Sequence, residues 1–107
     1  MISALEKLLG TPRDGALLRY SLGLEYQKAG NPAKALVHLR EAVTRDPLYS
    51  AAWKALAKAL SDLDRPAEAL AAYGDGIAAA QRKGDRQAEK EMTVFARRLE
   101  KKLGKPS

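Results

Sequence analysis

Residues 30–36 read GNPAKAL and residues 64–70 read DRPAEAL, so one short pattern occurs twice in this chain. From Pro32 to Pro66, and again from Ala35 to Ala69, the offset is 34 residues. A recurrence at this period is typical of a stacked array of helical hairpins, in which each unit buries its apolar face only against its neighbours. The repeat therefore predicts a fold and a mode of action, but it does not identify a partner.

The composition is that of an ordinary globular protein, with 107 residues of which 46% are hydrophobic and 30% charged, and it fits a single domain. Cysteine is absent, which excludes disulfides, thiolate metal sites and a cysteine nucleophile. No apolar run is long enough to span a bilayer, and Glu6 and Lys7 interrupt the apolar stretch near the start, so we expect no secretory signal and a cytoplasmic location. The net charge of +6 favours acidic partners without choosing among peptide, nucleic acid and lipid.

Apolar spacing and capping residues predict about six helices. Ser3 and Glu6 match a capping box for a short first helix over residues 3–10. Asn31 and Asp85 are suited to cap the third and the last helix. The other helices are expected over residues 16–29, 32–45, 49–63, 66–81 and 85–103, and residues 104–107 are expected to fray.

Two glycines, Gly74 and Gly76, fall inside the fifth predicted helix. Each costs about 1 kcal/mol relative to alanine in a helix interior, so their presence requires a reason. The favoured interpretation is that they let the next helix approach closely, and the alternative is a local distortion used in binding.

Small and apolar residues recur at matching places in the two units. In the first unit they are Leu22, Gly23, Tyr26, Ala35, Leu39 and Pro47, and in the second Trp53, Leu56, Ala57, Ala69 and Tyr73. At these positions the chain resembles the tetratricopeptide repeat family. It departs from the family pattern at Arg19, Leu60, Gly76 and Gln81, where tryptophan, tyrosine, alanine and proline are usual.

The resemblance implies an all-α fold, a right-handed superhelix of stacked antiparallel helical hairpins with about six helices. We expect one domain over residues 1–107, with whole repeats at 16–49 and 50–83. Residues 3–10 would form a half-repeat helix before them, and residues 85–103 a capping helix after them. Such terminal helices cover apolar faces that interior repeats would otherwise expose to water.

No arrangement of residues indicates catalysis, and we expect no enzyme, no cofactor and no metal site. The single histidine, His38, has no serine or cysteine nucleophile within helical reach. The carboxylates are scattered at the spacings of solvated helix faces, and no glycine-rich phosphate loop is present.

The resemblance implies that the first helices of the hairpins line a concave groove that binds a peptide segment of another protein. The residues that this places in the groove are Leu17, Tyr20, Leu24, Gln27, Lys28, Lys54, Lys58, Ser61 and Met92, with Ala51, Asp62 and Ala88 beside them. Lys28, Lys54 and Lys58 would form a basic strip suited to an acidic ligand with an apolar anchor. The alternative is that these lysines are merely solvated. The carboxylate clamp of some family members is not expected, because Tyr20 and Leu24 occupy two of its positions.

Two other functions stay open. The chain could self-associate through Phe95 or Leu99, because two repeats give a small core; we expect a monomer or a weak homodimer. A less favoured possibility is binding of nucleic acid or anionic lipid by the basic end of the last helix, and no aromatic residues are interleaved there for base stacking. The basic residues concerned are Arg97, Arg98, Lys101, Lys102 and Lys105.

Overall fold

A computed structural model describes residues 1–104 of the chain; Lys105 and the predicted frayed end beyond it lie outside these residues. Six helices and no strand occur within residues 1–104. The helices are α1 Ile2–Glu6, α2 Ala16–Lys28, α3 Pro32–Arg45, α4 Ser50–Asp62, α5 Pro66–Lys83 and α6 Arg86–Lys102. None of them is both long enough and apolar enough to cross a membrane.

The helices stack in the order of the chain. α2 packs against α3 and α4 against α5 to form two antiparallel hairpins, α3 joins α4, and α5 joins α6. The first helices of the hairpins, α2 and α4, also contact each other, and α4 contacts α6. This arrangement confirms the predicted all-α, right-handed array of hairpins, whose long dimension is 45 Å.

The repeated sequence pattern forms the turn inside each hairpin. Gly30 has a φ of +74°, a left-handed conformation that glycine adopts without a steric penalty. The Asn31 side chain then accepts a hydrogen bond of 3.2 Å from the Lys34 N–H, which confirms it as the cap of α3. In the second hairpin, Asp64 takes the left-handed position with a φ of +57°.

Glycines and alanines allow the helices to cross closely. A Cβ atom added to Gly23 would lie 2.5 Å from Leu39 Cδ2, and one added to Gly76 would lie 2.7 Å from Trp53 Cβ. Gly76 therefore confirms the interpretation that a glycine in α5 permits close approach. Gly74 is different, because it is exposed and no other atom lies within 4 Å of such a Cβ. α5 runs through both glycines without a break.

The first helix differs from its prediction. It spans Ile2–Glu6 rather than residues 3–10, and Met1 is its N-terminal cap residue, with no side-chain hydrogen bond. The predicted capping box is wrong because the Glu6 carboxylate is engaged elsewhere, accepting a hydrogen bond of 2.7 Å from the Tyr26 hydroxyl. Tyr26 belongs to α2, so a tertiary contact replaces the local cap and ties α1 to the first hairpin.

An ion network occupies the place where the repeat family usually has tryptophan. Arg19 Nε donates a hydrogen bond of 2.9 Å to the Asp14 carboxylate, the Gly10 N–H donates another of 2.9 Å, and Arg45 Nη1 lies 3.5 Å away. The hydrogen bonds from Arg19 and Gly10 lower the pKa of Asp14 to about 2, from an ordinary value of 3.8. Asp14 therefore joins the N-terminal segment to both helices of the first hairpin.

The last helix does not continue the spacing of the first helices before it. α4 begins 34 residues after α2, whereas α6 begins 36 residues after α4. The difference arises because α5 extends to Lys83, beyond the predicted Gln81, and only Gly84 and Asp85 connect it to α6. The Asp85 side chain accepts a hydrogen bond of 3.1 Å from the Ala88 N–H, so its predicted capping role is confirmed.

Candidate functional site

One cleft lies where α2 and α4 run side by side. Its volume is about 400 Å³, and we call it the groove. The residues that line it are Tyr20, Leu24, Gln27, Ala51, Lys54, Ala55, Lys58, Ser61, Asp62, Tyr73 and Phe95. Most come from the first helices of the two hairpins, and α5 and α6 supply one each.

Two thirds of the predicted site residues are brought together in this groove. They are Tyr20, Leu24, Gln27, Lys54, Lys58 and Ser61. Leu17, whose side chain is 69% exposed, and Lys28 lie on the surface outside the groove lining. Ala88 lines a smaller cleft between α4 and α6.

The placement of Met92 in the groove is wrong, because its side chain is fully buried. Met92 Sδ lies over Gly76, where an added Cβ would approach it to 2.5 Å. The later start of α6 explains this result, since two residues correspond to about 200° around a helix. With an offset of 36 residues, Met92 corresponds to the buried Leu56 of α4 and Leu99 to Leu63, which is packed against the core.

Two aromatic residues of the groove were not predicted as site residues. Tyr73 comes from α5 and Phe95 from α6, and their ring centroids are 5.8 Å apart. Burial raises the pKa of the Tyr73 phenol, so the ring stays neutral at physiological pH. The sequence contained no local signal for this pair, because both residues fit an apolar packing stripe equally well.

The predicted basic strip is not a free positive surface. Lys54 Nζ lies 3.0 Å from Glu91 Oε2, and Lys58 Nζ lies 3.1 Å from Asp62 Oδ2. The hydrogen bond from Lys54 lowers the pKa of Glu91, so this pair is charged at neutral pH. Lys28, outside the groove, lies 3.7 Å from Glu25. The interpretation as a basic strip is therefore corrected, because each lysine has a carboxylate partner on its own or the next helix.

Backbone and side-chain hydrogen bonds fix the remaining wall of the groove. Gln27 Nε2 donates a hydrogen bond of 3.0 Å to the Ala55 carbonyl oxygen, which holds α2 against α4. The Tyr20 ring lies with its centroid 4.9 Å from that of Tyr49. The groove thus has an apolar and aromatic floor with an ion pair of each lysine at its edge.

The histidine lies away from the groove. The His38 ring stacks on Tyr26 with centroids 5.7 Å apart, and burial lowers its pKa. Its surroundings are those of a packed side chain, as the sequence favoured. Among residues 1–104, no group of three or more histidine, cysteine or acidic side chains is placed to hold a metal ion.

Comparisons with known proteins agree with this geometry. A family model described as tetratricopeptide repeat matches residues 26–89. TPR repeat-containing protein PA0015 of Pseudomonas aeruginosa is 48% identical over 101 residues, which cover 94% of this chain and 96% of that protein. The chain belongs to the tetratricopeptide repeat family.

Solved structures with the same fold include two bacterial proteins. The solution structure of protein BPP2914 from Bordetella parapertussis is 43% identical, with a TM-score of 0.82 over 95% of this chain and 89% of that one. The solution structure of a tetratricopeptide repeat domain protein from Salinibacter ruber is 31% identical, with a TM-score of 0.76 over 83% of this chain and 89% of that one. Proteins of this family generally mediate protein–protein interactions and are generally not catalysts.

Proposed function

We propose that this protein is a non-catalytic interaction module that binds a peptide segment of another protein in the groove. The observation that carries the proposal is the floor formed by Leu24, Tyr73 and Phe95 between two ion pairs. A cleft of about 400 Å³ lies within the range of small binding sites and suits one or two bulky apolar side chains. The apolar anchor of the ligand is therefore its main determinant.

Acidic residues in the ligand have a smaller role in this proposal. A ligand carboxylate that binds Lys54 must compete with Glu91, and one that binds Lys58 must compete with Asp62. Because these pairs are more than a third exposed, their exchange for a ligand carboxylate changes the free energy little, by up to about 1 kcal/mol. Apolar burial in the groove is not screened by salt, so binding should persist at physiological ionic strength.

The direct test compares two leucines of α2. Leu24 lines the groove and is half-buried, whereas Leu17 is exposed on the same helix outside it. Tagged wild-type protein, Leu24→Gln and Leu17→Gln are used to recover partners from the native cell, with circular dichroism melting to verify folding. We expect one or more proteins to be recovered with wild type and Leu17→Gln and to be reduced about tenfold with Leu24→Gln. Equal recovery with both variants would refute binding in the groove.

A second pair of variants separates the apolar anchor from the charges. Phe95→Ala removes part of the floor, and Lys54→Glu with Lys58→Glu reverses both lysines. If the anchor dominates, Phe95→Ala weakens recovery of the same partner more than the double charge reversal does. The opposite order would restore the strongly acidic ligand that the sequence favoured.

Self-association is the competing function, and the structure weakens its predicted surface. Leu99 is buried within the chain and Phe95 lines the groove floor, so neither presents a free apolar face for a second copy. We expect a monomer in sedimentation at micromolar concentration. A tight dimer that blocks the groove would favour a structural role instead.

A further inference from the structure

The outer side of α6 has a strongly cationic face. Arg86, Lys90, Arg97 and Lys101 are spaced by four, seven and four residues, which places them on one side of the helix. All four are exposed, and they extend over about 22 Å at 1.5 Å per residue. We call these four residues the cationic face.

These cations differ from those elsewhere in residues 1–104. None of the four lies within 4.0 Å of a carboxylate oxygen of the described residues. The cations that do have such partners lie on α2, α3 and α4 or at the start of α5, and they are Arg19, Lys28, Arg40, Arg45, Lys54, Lys58 and Arg65. Unpaired charge is therefore concentrated at one end of the array.

The face borders an open cleft of about 720 Å³ along α6. Arg86, Lys90 and Arg97 line it together with Thr93 and Val94, and Val94 is 47% exposed. The remaining lining residue is Glu89, whose carboxylate accepts a hydrogen bond of 2.9 Å from Gln81 Nε2. The centre of the cleft is thus small and apolar, and its ends are positive.

The position of this cleft in the array indicates the shape of its occupant. With the offset of 36 residues between α4 and α6, Glu89 and Thr93 correspond to Trp53 and Ala57 of α4. On α4 this side is covered by α5, since Gly76 of α5 approaches Trp53 and Ala57 is fully buried. On α6 no element of residues 1–104 covers the corresponding side. A helix packed there would repeat the hairpin geometry of α4 and α5.

We propose that the cationic face docks an acidic amphipathic helix of a partner protein, which packs across Thr93 and Val94 and completes a third hairpin. Carboxylates near both ends of that helix would pair with Arg86 and Lys90 at one end and with Arg97 and Lys101 at the other. The occupant is a helix of opposite charge because the uncovered side has the shape that a helix fills on α4. A second copy of this chain is a poor match, since its short α1 carries only Glu6 as an acidic residue.

Other polyanions fit the face less well. The only aromatic residue of α6 is Phe95, which lines the groove on another side of the helix, so the cationic face offers no ring for base stacking. Membrane binding by a helix surface requires large apolar side chains, and Val94 alone is exposed among the large hydrophobic residues of α6.

The test uses a designed probe on the intact chain. The probe is a fluorescent, end-capped peptide of about 18 residues, long enough to span the face as a helix, with glutamates in both end turns and leucine and alanine between them. A second peptide of the same composition has its glutamates distributed around the helix. Fluorescence anisotropy at physiological salt measures Kd for both peptides, and circular dichroism verifies that each variant is folded.

Two matched double variants locate the site. Lys90→Glu with Arg97→Glu reverses two charges of the cationic face, and Lys7→Glu with Arg13→Glu makes the same charge change at two exposed residues outside α6. We expect the first to weaken Kd about tenfold or more and the second to change Kd by less than about threefold, because distant charges are screened. The peptide with distributed glutamates should bind at least about threefold more weakly than the patterned one.

Several results would overturn the proposal. They are the absence of binding up to about 100 µM of the patterned peptide, equal losses in the two double variants, and a loss of binding in the groove variant Leu24→Gln. A single-stranded oligonucleotide and phosphatidylserine vesicles are measured in parallel. If either binds more tightly than the peptide and depends on Lys90 and Arg97, the face is a polyanion surface and the acidic helix is refuted.

Discussion

The turn between α2 and α3 and the turn between α4 and α5 have similar backbones but different residues. The first has Gly30 in the left-handed position and Asn31 as a hydrogen-bonding cap, whereas the second has Asp64 and an arginine, Arg65, without a side-chain cap. The second turn still forms, because the packing of α4 on α5 favours it although its own residues do not. Local sequence therefore supports the first hairpin more strongly than the second.

The hairpins also differ in how their first helices are held. Position 19 of the first is an arginine in an ion network with Asp14, and the equivalent position of the second is Trp53. The Trp53 indole N–H donates a hydrogen bond of 2.8 Å to the Pro47 carbonyl oxygen, which fixes the ring at the junction of the two repeats. A polar network thus stabilises one repeat where an aromatic ring stabilises the other.

The largest effect is expected at the close approach that only the second hairpin has as a glycine. Gly76 corresponds to Ala42 in the first hairpin, and a Cβ at Gly76 would lie 2.7 Å from Trp53 Cβ. Gly76→Ala should therefore destabilise the protein by about 1–2 kcal/mol, since overpacking exceeds the gain in helix propensity. Urea denaturation followed by circular dichroism measures the change.

Gly74→Ala in the same helix is the matched control. Because nothing lies within 4 Å of a Cβ there, only the gain in helix propensity remains, and stability should rise by up to about 1 kcal/mol. Changes of the same sign in both variants would show that close approach is not the reason for Gly76.

The next effect concerns the left-handed residues of the two turns. Gly30→Ala should cost about 1 kcal/mol, because an alanine at a φ of +74° is sterically strained. Asp64→Gly should increase the free energy of unfolding by up to about 1 kcal/mol for the converse reason. Thermal melting of both variants tests the comparison, and a stabilising Gly30→Ala would contradict it.

The caps should show a smaller difference in the same direction. Asn31→Ala removes the hydrogen bond to the Lys34 N–H and should cost about 1 kcal/mol. Arg65→Asn adds a cap to α5 but removes the ion pair of Arg65 with Glu68, so the expected net gain is only about 0.5 kcal/mol. A loss of stability in Arg65→Asn would mean that the ion pair, rather than the cap, determines this turn.

The smallest difference is expected with pH, because every carboxylate of the chain titrates in the same range. The pKa of Asp14 is lowered to about 2 in the folded protein, so its stabilising contribution is complete above its ordinary value of 3.8 and is lost as pH falls from about 4 to about 2. We expect the urea midpoint of the wild type to fall more over this interval than that of Asp14→Asn. Parallel declines in the two proteins would separate acid sensitivity from the network at Arg19.

The sequence predicted the helices better than the groove. Asn31, Asp85 and the two prolines act through neighbouring backbone, so their roles followed from local chemistry and are confirmed. Met92 was placed on the wrong side because the lengths of α5 and the connection to α6 set the rotation of α6, and both depend on packing. The lysine strip was wrong for a related reason, since Glu91 reaches Lys54 only after α6 has docked on α4.

By itself the sequence determined that the chain is a helical array of this repeat family, because a period of 34 residues and the small residues at helix crossings act within one hairpin. The residues of α2 and α4 that line the groove followed from that period as well. The tertiary structure alone decided the pairing of the lysines, the aromatic floor at Tyr73 and Phe95, and the uncovered cationic face of α6. These features depend on contacts between helices whose relative rotation no short stretch of sequence fixes.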